Sequence, residues 1–434
     1  MRNSLWFVLA LIASFSAAGS VSTRPARAED AARWYRGNLH THSLWSDGND
    51  FPEMICDWYV RNGYHFLGLS DHNILSRGEK WIGTEAAAKR GSIGGLERYR
   101  ERFGADWVVT REQEGKTEVR LKTLEEFRPR FEKPGAFLLL EAEEITDHYQ
   151  SYPIHVNANN VVEYVRPRGG DSIRATIANN LRAVEEQSRR AGRPILAHLN
   201  HPNFHYAVTA EDMAAVVEER FYEVYNGHPG VNHLGDATHA SVERQWDIAN
   251  TIRLARMNAP PLFGLATDDS HNYFGTRGAS SGRGWVMVRA GKLEPDAILN
   301  AMFRGDFYAS SGVALKDVAF DADHRKLAIA VDAEPGVEYV TEFIGTRAGH
   351  DTKVEPVRDA DGKELNVTQR YSTDVGAVLA RVAGPSAEYA MRGDELYVRA
   401  VVTASKEPAN PSFEGQKQQA WTQPVGWRMP GAPR

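Results

Sequence analysis

The chain is poor in cysteine, because Cys56 is the single one among its 434 residues. One thiol cannot form an intrachain disulfide, so the fold must be held by its hydrophobic core. A basic stripe is also missing, and the chain carries a net charge of −6 with a pI near 6.2. These absences argue against a disulfide-stapled domain and against a nucleic-acid partner, and they leave a small molecule as the expected partner.

Long apolar runs are confined to the first residues. Arg2 precedes an apolar run at 5–18, and Ala26-Arg27-Ala28 offers a small-x-small cleavage site. This order predicts a secretory signal over 1–28, with Ser16-Ala17-Ala18 as an alternative cleavage site. An uncleaved anchor is the competing interpretation, but a spanning helix needs about 20 apolar residues. We therefore expect a periplasmic or secreted protein with no stable membrane span after cleavage.

Residues 29–312 alternate short apolar runs with amphipathic segments. Strands are predicted at Tyr64–Leu69, Ile195–Ala197, Phe221–Tyr225 and Leu262–Ala266. Helices are predicted at 52–62, from 171 to 192, at 210–219, near 237–257 and around 294–304. Repeated strand–helix units are typical of an α/β fold with a parallel sheet, either open or closed into a barrel.

Two regions depart from this rhythm. Residues 73–135 form a polar insertion, in which Trp107–Thr110 and Thr117–Leu121 flank a predicted hairpin turn at Glu112–Gly115. Such an insertion is either a lid over a binding site or a plain surface elaboration. Residues 313–434 show short alternating runs between Gly, Pro and Asp turns, which predicts a small all-β domain of the sandwich type.

The histidines are concentrated, since thirteen of the fifteen lie between His40 and His271. Residues two apart on a strand point the same way, so His40 and His42 can bind one ion together. Acids that follow the apolar run Phe137–Leu140 need a compensating partner, which a metal provides. Six such motifs follow or lie on predicted strands: His40-Thr41-His42 with Asp47, Asp71-His72, Glu141–Glu144, His155, His198–His201 and Asp268–His271. Because the carboxyl ends of parallel strands converge, these motifs predict one metal site.

In order and type these motifs resemble the PHP superfamily, which is named for polymerase and histidinol phosphatase, and within it the secreted and carbaryl-hydrolase-like branches. The resemblance covers about residues 34–312 and ends at Phe307-Tyr308-Ala309-Ser310-Ser311-Gly312. It implies a distorted seven-stranded β/α barrel that binds two or three divalent metal ions. Mixed nitrogen and oxygen ligands suit zinc, manganese or iron, and the sequence does not choose among them.

The resemblance also implies which residues bind each ion. The first ion would be held by His40, His42, Glu144 and Asp269. The second would be held by Glu144, His155 and His201, and the third by Asp47, His72 and His271. Two positions have alternatives, because Glu141 or Glu143 could replace Glu144 and His198 could replace His201.

Five further residues are candidates for catalysis or substrate binding. Asp71 and Asp268 could orient histidines or handle protons, with helix capping or plain solvation as the alternative. His205 lies shortly after the His201-Pro202 pair, which follows the predicted strand Ile195–Ala197. Arg277 and Arg283 lie in a Gly-rich loop, where an arginine either clamps a phosphate or remains a surface residue.

The implied activity is hydrolysis by a metal-activated water, without a covalent nucleophile. The leading hypothesis is a phosphoesterase that acts on small, anionic phosphomonoesters or phosphodiesters. The alternative within the same superfamily is hydrolysis of carbamates or carboxylic esters. A non-enzymatic metal-binding or carbohydrate-binding surface protein is the third hypothesis.

Overall fold

The computed structural model describes residues 32–274 and 278–428. The predicted signal at 1–28 and the candidate Arg277 lie outside these ranges. The strands up to residue 312 are Arg33–Asn38 (β1), Phe66–Leu69 (β2), Lys80–Gly83 (β3), Thr110–Gln113 (β4), Lys116–Leu121 (β5), Leu138–Tyr149 (β6), Tyr152–Asn159 (β7), Leu196–Leu199 (β8), Phe221–Asn226 (β9), Phe263–Thr267 (β10), Trp285–Ala290 (β11) and Phe307–Ser310 (β12). The helices are Pro52–Arg61 (α1), Thr84–Lys89 (α2), Gly95–Phe103 (α3), Leu124–Phe131 (α4), Ile173–Ala191 (α5), Ala210–Ala215 (α6), Val242–Ile252 (α7) and Pro295–Phe303 (α8).

Helix α5 shows why the predicted helices form where they do. The Ser172 side chain accepts a hydrogen bond from the Ala175 N–H at its start, and Gly192 adopts a left-handed φ of 65° at its end. Its buried face includes Ile177 and Leu181, which follow the helical spacing and pack into the core. The predicted helix near 237–257 is shorter in the structure, because α7 begins at Val242 and passes into a π-helical turn at Arg253–Met257. No helix of the described ranges is long and apolar enough to span a bilayer.

The main sheet is mixed, which corrects the expectation of a parallel one. Its thirteen strands run in the order β10-β9-β8-β7-β6-β2-β1-β11-β12 and continue into four strands of the C-terminal region. Strands β1, β2 and β6 are parallel to one another, as are β8, β9 and β10, but β7 is antiparallel to both neighbours. The cause is a tight connection, since only Gln150 and Ser151 separate β6 from β7.

A closed barrel is not detected among the described strands, because no ladder joins β10 back to β1. The residues that follow these two strands do meet. The Asp269 N–H donates to the His40 carbonyl at 3.0 Å, and the His42 N–H donates to the Ser270 carbonyl at 2.9 Å. An isolated parallel bridge pairs Thr41 with Ser270. Two of the predicted metal-binding motifs therefore share a backbone connection.

The insertion at 73–135 folds into a small α/β unit. Its three strands pair antiparallel in the order β3-β5-β4, with α2, α3 and α4 around them. The predicted hairpin is present, but its first strand begins at Thr110 rather than Trp107, and its turn lies at Glu114 and Gly115, both with positive φ. The Trp107 indole instead donates to buried Glu53 at 2.9 Å. Strand β4 therefore begins only after Trp107, whose side chain connects the insertion to α1.

The C-terminal region is all β in the described residues 313–428. Its strands are Leu315–Asp321 (β13), Lys326–Val331 (β14), Tyr339–Arg347 (β15), Val354–Glu355 (β16), Arg370–Tyr371 (β17), Ala377–Ala383 (β18), Ser386–Ala390 (β19), Glu395–Ala404 (β20) and Gln419–Thr422 (β21). The sheet β13-β14-β19 packs on β15 and β20 around a shared core that includes Ile329, Phe343 and Ala400. Strand β21 hydrogen-bonds to both β20 and β12, so one sheet crosses the expected domain boundary at 312.

Candidate metal centre

All nine predicted metal ligands lie in one cluster, either on strands of the main sheet or in the loops that follow them. The ligands come from seven places: His40 and His42 after β1, Asp47 in the loop that follows, His72 after β2, Glu144 on β6, His155 on β7, His201 after β8, and Asp269 and His271 after β10. Strands that are adjacent in the sheet deliver residues that are far apart in the sequence. The cluster is thus a product of the sheet order.

Glu144 lies at the centre of this cluster, and its side chain is 1% exposed. Its carboxylate oxygens face five imidazole nitrogens: His72 Nδ1 at 2.8 Å, His155 Nδ1 at 3.0 Å, His42 Nε2 at 3.3 Å, His40 Nε2 at 3.4 Å and His201 Nε2 at 3.6 Å. The two alternative acids point elsewhere, because Glu141 pairs with Arg77 and Glu143 accepts from the Val165 N–H at 2.6 Å. Of the three acids, Glu144 is therefore the one whose carboxylate faces the predicted histidine ligands.

Asp47 forms the outer side of the cluster. Its carboxylate lies 3.7 Å from His42 Nδ1, 3.5 Å from His72 Nε2 and 3.4 Å from His271 Nε2. The Asp47 side chain is 52% exposed, whereas His40 and His42 are fully buried. Solvent and any substrate therefore reach the cluster from the Asp47 side.

Asp269 closes the cluster on the side of β10. Its Oδ1 lies 3.2 Å from the Nε2 atoms of both His40 and His42. Its backbone has a left-handed φ of 47°, which is strained for an aspartate and typical of functional positions. The Asn226 side chain donates to Asp269 Oδ2 at 3.1 Å and fixes the orientation of the carboxylate.

The carboxylates of the cluster and the imidazole of His42 are in the protonation states that bind metals. Burial, followed by the charges of neighbouring histidines, lowers the pKa of His42 to about 3, so its imidazole is neutral. Burial opposes ionisation of Glu144, but the surrounding imidazoles, His72 foremost, hold its pKa well below the usual range. The pKa of Asp269 is lowered against burial in the same way, with His40 as the main cause. Burial opposes a charge on His40, His72 and His271, but the surrounding carboxylates raise the pKa values of all three imidazoles. Metals coordinate neutral imidazoles and ionised carboxylates, so metal binding here would release protons from these histidines.

Within the described ranges, several buried nitrogen and oxygen atoms of the cluster have no hydrogen-bond partner. These atoms are His40 Nε2, both ring nitrogens of His42, His155 Nδ1 and Glu144 Oε2. Among the described residues, four groups of ligand atoms lie close enough together to share an ion: His40-His42-Glu144, His72-Glu144-His155, His42-Asp47-His72-His271 and His40-His198-Glu223. Buried polar atoms rarely remain unpaired, so the residues fit divalent metal ions.

Glu223 is a residue of the cluster that the sequence did not reveal. Its Oε1 lies 2.7 Å from His40 Nδ1, and its Oε2 accepts from the His201 N–H at 2.8 Å. His198 approaches Glu223 at 3.4 Å and does not contact Glu144 in the way that His201 does. Glu223 thus fixes the ring orientation of one ligand and the backbone of another. The available signal was a charged residue in the middle of the apolar strand Phe221–Asn226.

Asp71 and Asp268 accept hydrogen bonds from loop residues. Within the described ranges, neither carboxylate forms a hydrogen bond with the imidazole of a predicted ligand. Asp71 accepts four hydrogen bonds, from the backbone N–H and hydroxyl groups of Ser43 and Ser46. Asp268 accepts four, from the Tyr59 hydroxyl and the N–H groups of Gly282, Arg283 and Gly284. The suggestion that they orient histidines is therefore replaced by a role in holding the loops that carry Asp47 and His271.

His205 and Arg283 also lie outside the ligand cluster. His205 is exposed and has a positive φ of 53°, and its ring packs on Phe204. Arg283 is 4% exposed, and Nη1 donates to the carbonyls of Gly227 and Gly278 at 2.8 and 2.7 Å. Its other nitrogens donate to Asn410. These contacts direct the guanidinium toward protein atoms, and a contact of Arg283 with phosphate stays a prediction.

The chain matches no protein-family model and no curated protein sequence. Among solved structures it is similar to a two-domain protein from Bacteroides vulgatus described as containing a predicted PHP-like metal-dependent phosphoesterase, with 16% identity over 91% of this chain and 96% of the other and a TM-score of 0.39. A metal-dependent phosphoesterase described from Bifidobacterium adolescentis has 14% identity over 54% and 87% of the two chains and a TM-score of 0.29. An amidohydrolase from Chromobacterium violaceum, with bound sulfate and no metal, has 12% identity over 56% and 89% and a TM-score of 0.28.

Proposed function

We propose that the protein is a metal-dependent hydrolase that cleaves small phosphomonoesters or phosphodiesters. The observation that carries the proposal is the buried Glu144 carboxylate, which five imidazole nitrogens approach within 3.6 Å while Asp47 and Asp269 flank them. The order of these residues along the chain, which resembles the PHP superfamily, supports it. On this proposal the seven strands β1, β2 and β6–β10 form the distorted barrel around the site.

The donor set divides among the proposed ions as follows. His40, His42, Glu144 and Asp269 would hold one ion, Glu144, His155 and His201 a second, and Asp47, His72 and His271 a third. Divalent ions bound there would supply a water of lowered pKa and positive charge opposite the negative charge that develops in hydrolysis. Ion sites that share a carboxylate suit displacement at phosphorus, where both the entering and the leaving oxygen need a positive neighbour.

The protein's own residues fix the geometry of this site. The Asn200 side chain donates to Glu144 Oε1 at 2.7 Å and to Asn157 Oδ1 at 3.0 Å, so the Glu144 carboxylate cannot rotate freely. Glu223 holds the His40 ring, as described above. Preorganised ligands of this kind lower the reorganisation that the transition state would otherwise require. The substrate approaches from the exposed Asp47 side, and the buried His40 side excludes water.

Hydrolysis assays test the proposal. Protein freed of metal with a chelator is reloaded with zinc, manganese or iron and assayed with p-nitrophenyl phosphate, bis-p-nitrophenyl phosphate and an aryl carbamate. We expect turnover of a phosphoester only after metal is restored, and none by the matched Glu144→Ala variant. Turnover of the carbamate alone would refute the phosphoesterase assignment and favour carbamate hydrolysis. A metal-loaded protein that hydrolyses none of the three substrates would favour a binding protein.

A further inference from the structure

His228 is a histidine beside the cluster that is not one of the proposed ligands. It follows β9, and its ring centroid lies 5.7 Å from that of His271, nearly perpendicular to it. On another side the Phe204 ring lies 5.8 Å away, and Phe204 in turn packs on His201. The ring of His228 is half-buried and stands between two ligand-bearing loops. It is therefore close to the ions that the cluster would hold.

The tautomer of His228 is fixed by its own loop. The Gly230 N–H donates to His228 Nδ1 at 3.0 Å. A backbone N–H can only donate, so Nδ1 carries no proton and the proton of the imidazole lies on Nε2. A Cβ at Gly230 would lie 2.9 Å from Nδ1 and 3.1 Å from the Phe204 ring, so only glycine allows this approach. Among the described residues, Nε2 has no hydrogen-bond partner.

One amide side chain sets the distance between His228 and the metal centre. Asn226 Nδ2 donates to Glu223 Oε2 at 2.8 Å and to Asp269 Oδ2 at 3.1 Å. The Oδ1 atom of the same amide accepts from the His228 N–H at 2.8 Å. The backbone of His228 is thus connected to the proposed metal ligand Asp269 through two hydrogen bonds of Asn226, and a third holds the same amide on Glu223.

The C-terminal region holds the peptide that precedes His228. The Gly227 carbonyl accepts from Ser412 Oγ at 3.1 Å as well as from Arg283. The Ser412 hydroxyl also lies 2.7 Å from the hydroxyl of Tyr225 on β9. A loop of the β region therefore fixes the segment that presents the His228 ring.

We propose that His228 Nε2–H donates a hydrogen bond to a phosphoryl oxygen of the substrate that the metal ions do not hold. This inference rests on the proposed phosphoesterase activity and adds a substrate-contacting residue to it. A donor with a fixed proton position distinguishes an anionic phosphoryl oxygen from a neutral carbonyl, because hydrogen bonds to charged acceptors are stronger. No proton is transferred from the imidazole in this role.

The test uses the metal-loaded full-length protein with bis-p-nitrophenyl phosphate as substrate and inorganic phosphate as competitive inhibitor. His228→Phe keeps the ring and removes the donor, and His228→Gln retains an N–H donor. We expect His228→Phe to lose about 10- to 100-fold in kcat/KM and in phosphate affinity, with unchanged metal content. His228→Gln is expected to recover part of both. The matched control is His324→Phe, since His324 is an exposed histidine of the β region.

Two outcomes for His228→Phe would overturn the inference. The first is a kcat/KM and a phosphate affinity equal to those of the wild type. The second is a loss of bound metal, which would make His228 a metal ligand. Gly230→Ala is the second variant, because it retains the imidazole of His228 and displaces the ring. We expect the same loss of kcat/KM and phosphate affinity as in His228→Phe. Wild-type kinetics in Gly230→Ala would count against the proposal. These results are separable from the proposed function, since that proposal fails only if the wild-type protein hydrolyses no phosphoester.

Discussion

Arg399 on β20 and Asp247 on α7 form a buried two-point ion pair between the C-terminal β region and the α/β region. Nε lies 2.8 Å from Oδ1 and Nη2 lies 2.7 Å from Oδ2. The Tyr397 hydroxyl donates to the same carboxylate at 2.7 Å. Because the pair is fully desolvated, each partner depends on the other, and the two regions are coupled in stability.

Arg399→Met is expected to lower the free energy of unfolding by about 3–5 kcal/mol, because it leaves the Asp247 charge buried and unpaired. Urea denaturation followed by circular dichroism measures the change. Arg381→Met is the matched control, since Arg381 pairs with Glu342 on the surface, and its loss should stay within about 1 kcal/mol. Equal stabilities of the two variants would contradict the coupling.

Glu144→Ala is expected to lower metal content and to reduce hydrolysis by at least about 1,000-fold, the upper range for removing one electrostatic group from an active site. The reason is that the carboxylate is shared by two of the proposed ion sites. Elemental analysis of protein purified without chelators gives the metal content. Glu141→Ala should behave as wild type, because Glu141 pairs with Arg77 outside the cluster. If Glu144→Ala retained its full metal content, the shared ligand would have to be another acid.

Glu223→Gln is expected to weaken metal binding by about 10- to 100-fold, the range found when a partner of a ligand histidine is removed. The physical reason is the 2.7 Å contact that orients His40. Competition with a chromophoric chelator measures the affinity. Glu218→Gln removes a surface carboxylate that pairs with Arg182, and its affinity should not change. An equal effect in both variants would exclude a specific role of Glu223.

Glu219 lies outside the metal centre and makes the free energy of unfolding depend on pH. Burial raises the pKa of its carboxyl to about 8, although the N–H groups of Arg220 and Phe221 donate to it. The folded chain then binds more protons than the unfolded chain between the ordinary pKa and 8, so stability falls as pH rises through this window.

Glu219→Gln is expected to reduce this slope, a change of about 1–3 kcal/mol in the free energy of unfolding between pH 5 and pH 8. Part of the slope should remain, because burial also raises the pKa values of Glu143 and Asp50, to about 8 and about 7. Urea denaturation at several pH values gives the slope. The surface variant Glu186→Gln should retain the slope of the wild type. A Glu219→Gln protein with an undiminished slope would place the responsible group elsewhere.

The sequence could predict that these residues lie together, because most of them follow or lie on apolar strands; that they bind metal stays a prediction. The nine residues from His40 to His271 lie together in the structure. Strand direction was harder to predict, since the connection at Gln150 and Ser151 lacks glycine and asparagine, and Gln150 adopts a positive φ of 53° that its type does not indicate. The hairpin of β6 and β7 therefore gave no local turn signal.

The roles of acids that support the site depend on contacts between distant segments. Glu223 meets His40 across 183 positions of the chain, and no local pattern reports this contact. The same holds for Arg283, whose partner Asn410 belongs to the β region. The sequence shows that Glu223 and Arg283 are charged, but it does not show which residues they contact. Those partners become apparent only when the fold brings distant segments together.

Strand β21 completes the sheet beside β12, with Ser310 and Gln419 in contact across 109 positions. During synthesis the ribosome releases β12 long before β21, so the edge of β12 stays open while the intervening chain emerges. An open edge is a template on which another chain can pair. The chain is therefore prone to aggregate after β12 has been synthesised and before β21 has been. A fragment that ends after Gly312 would keep the unpaired edge of β12.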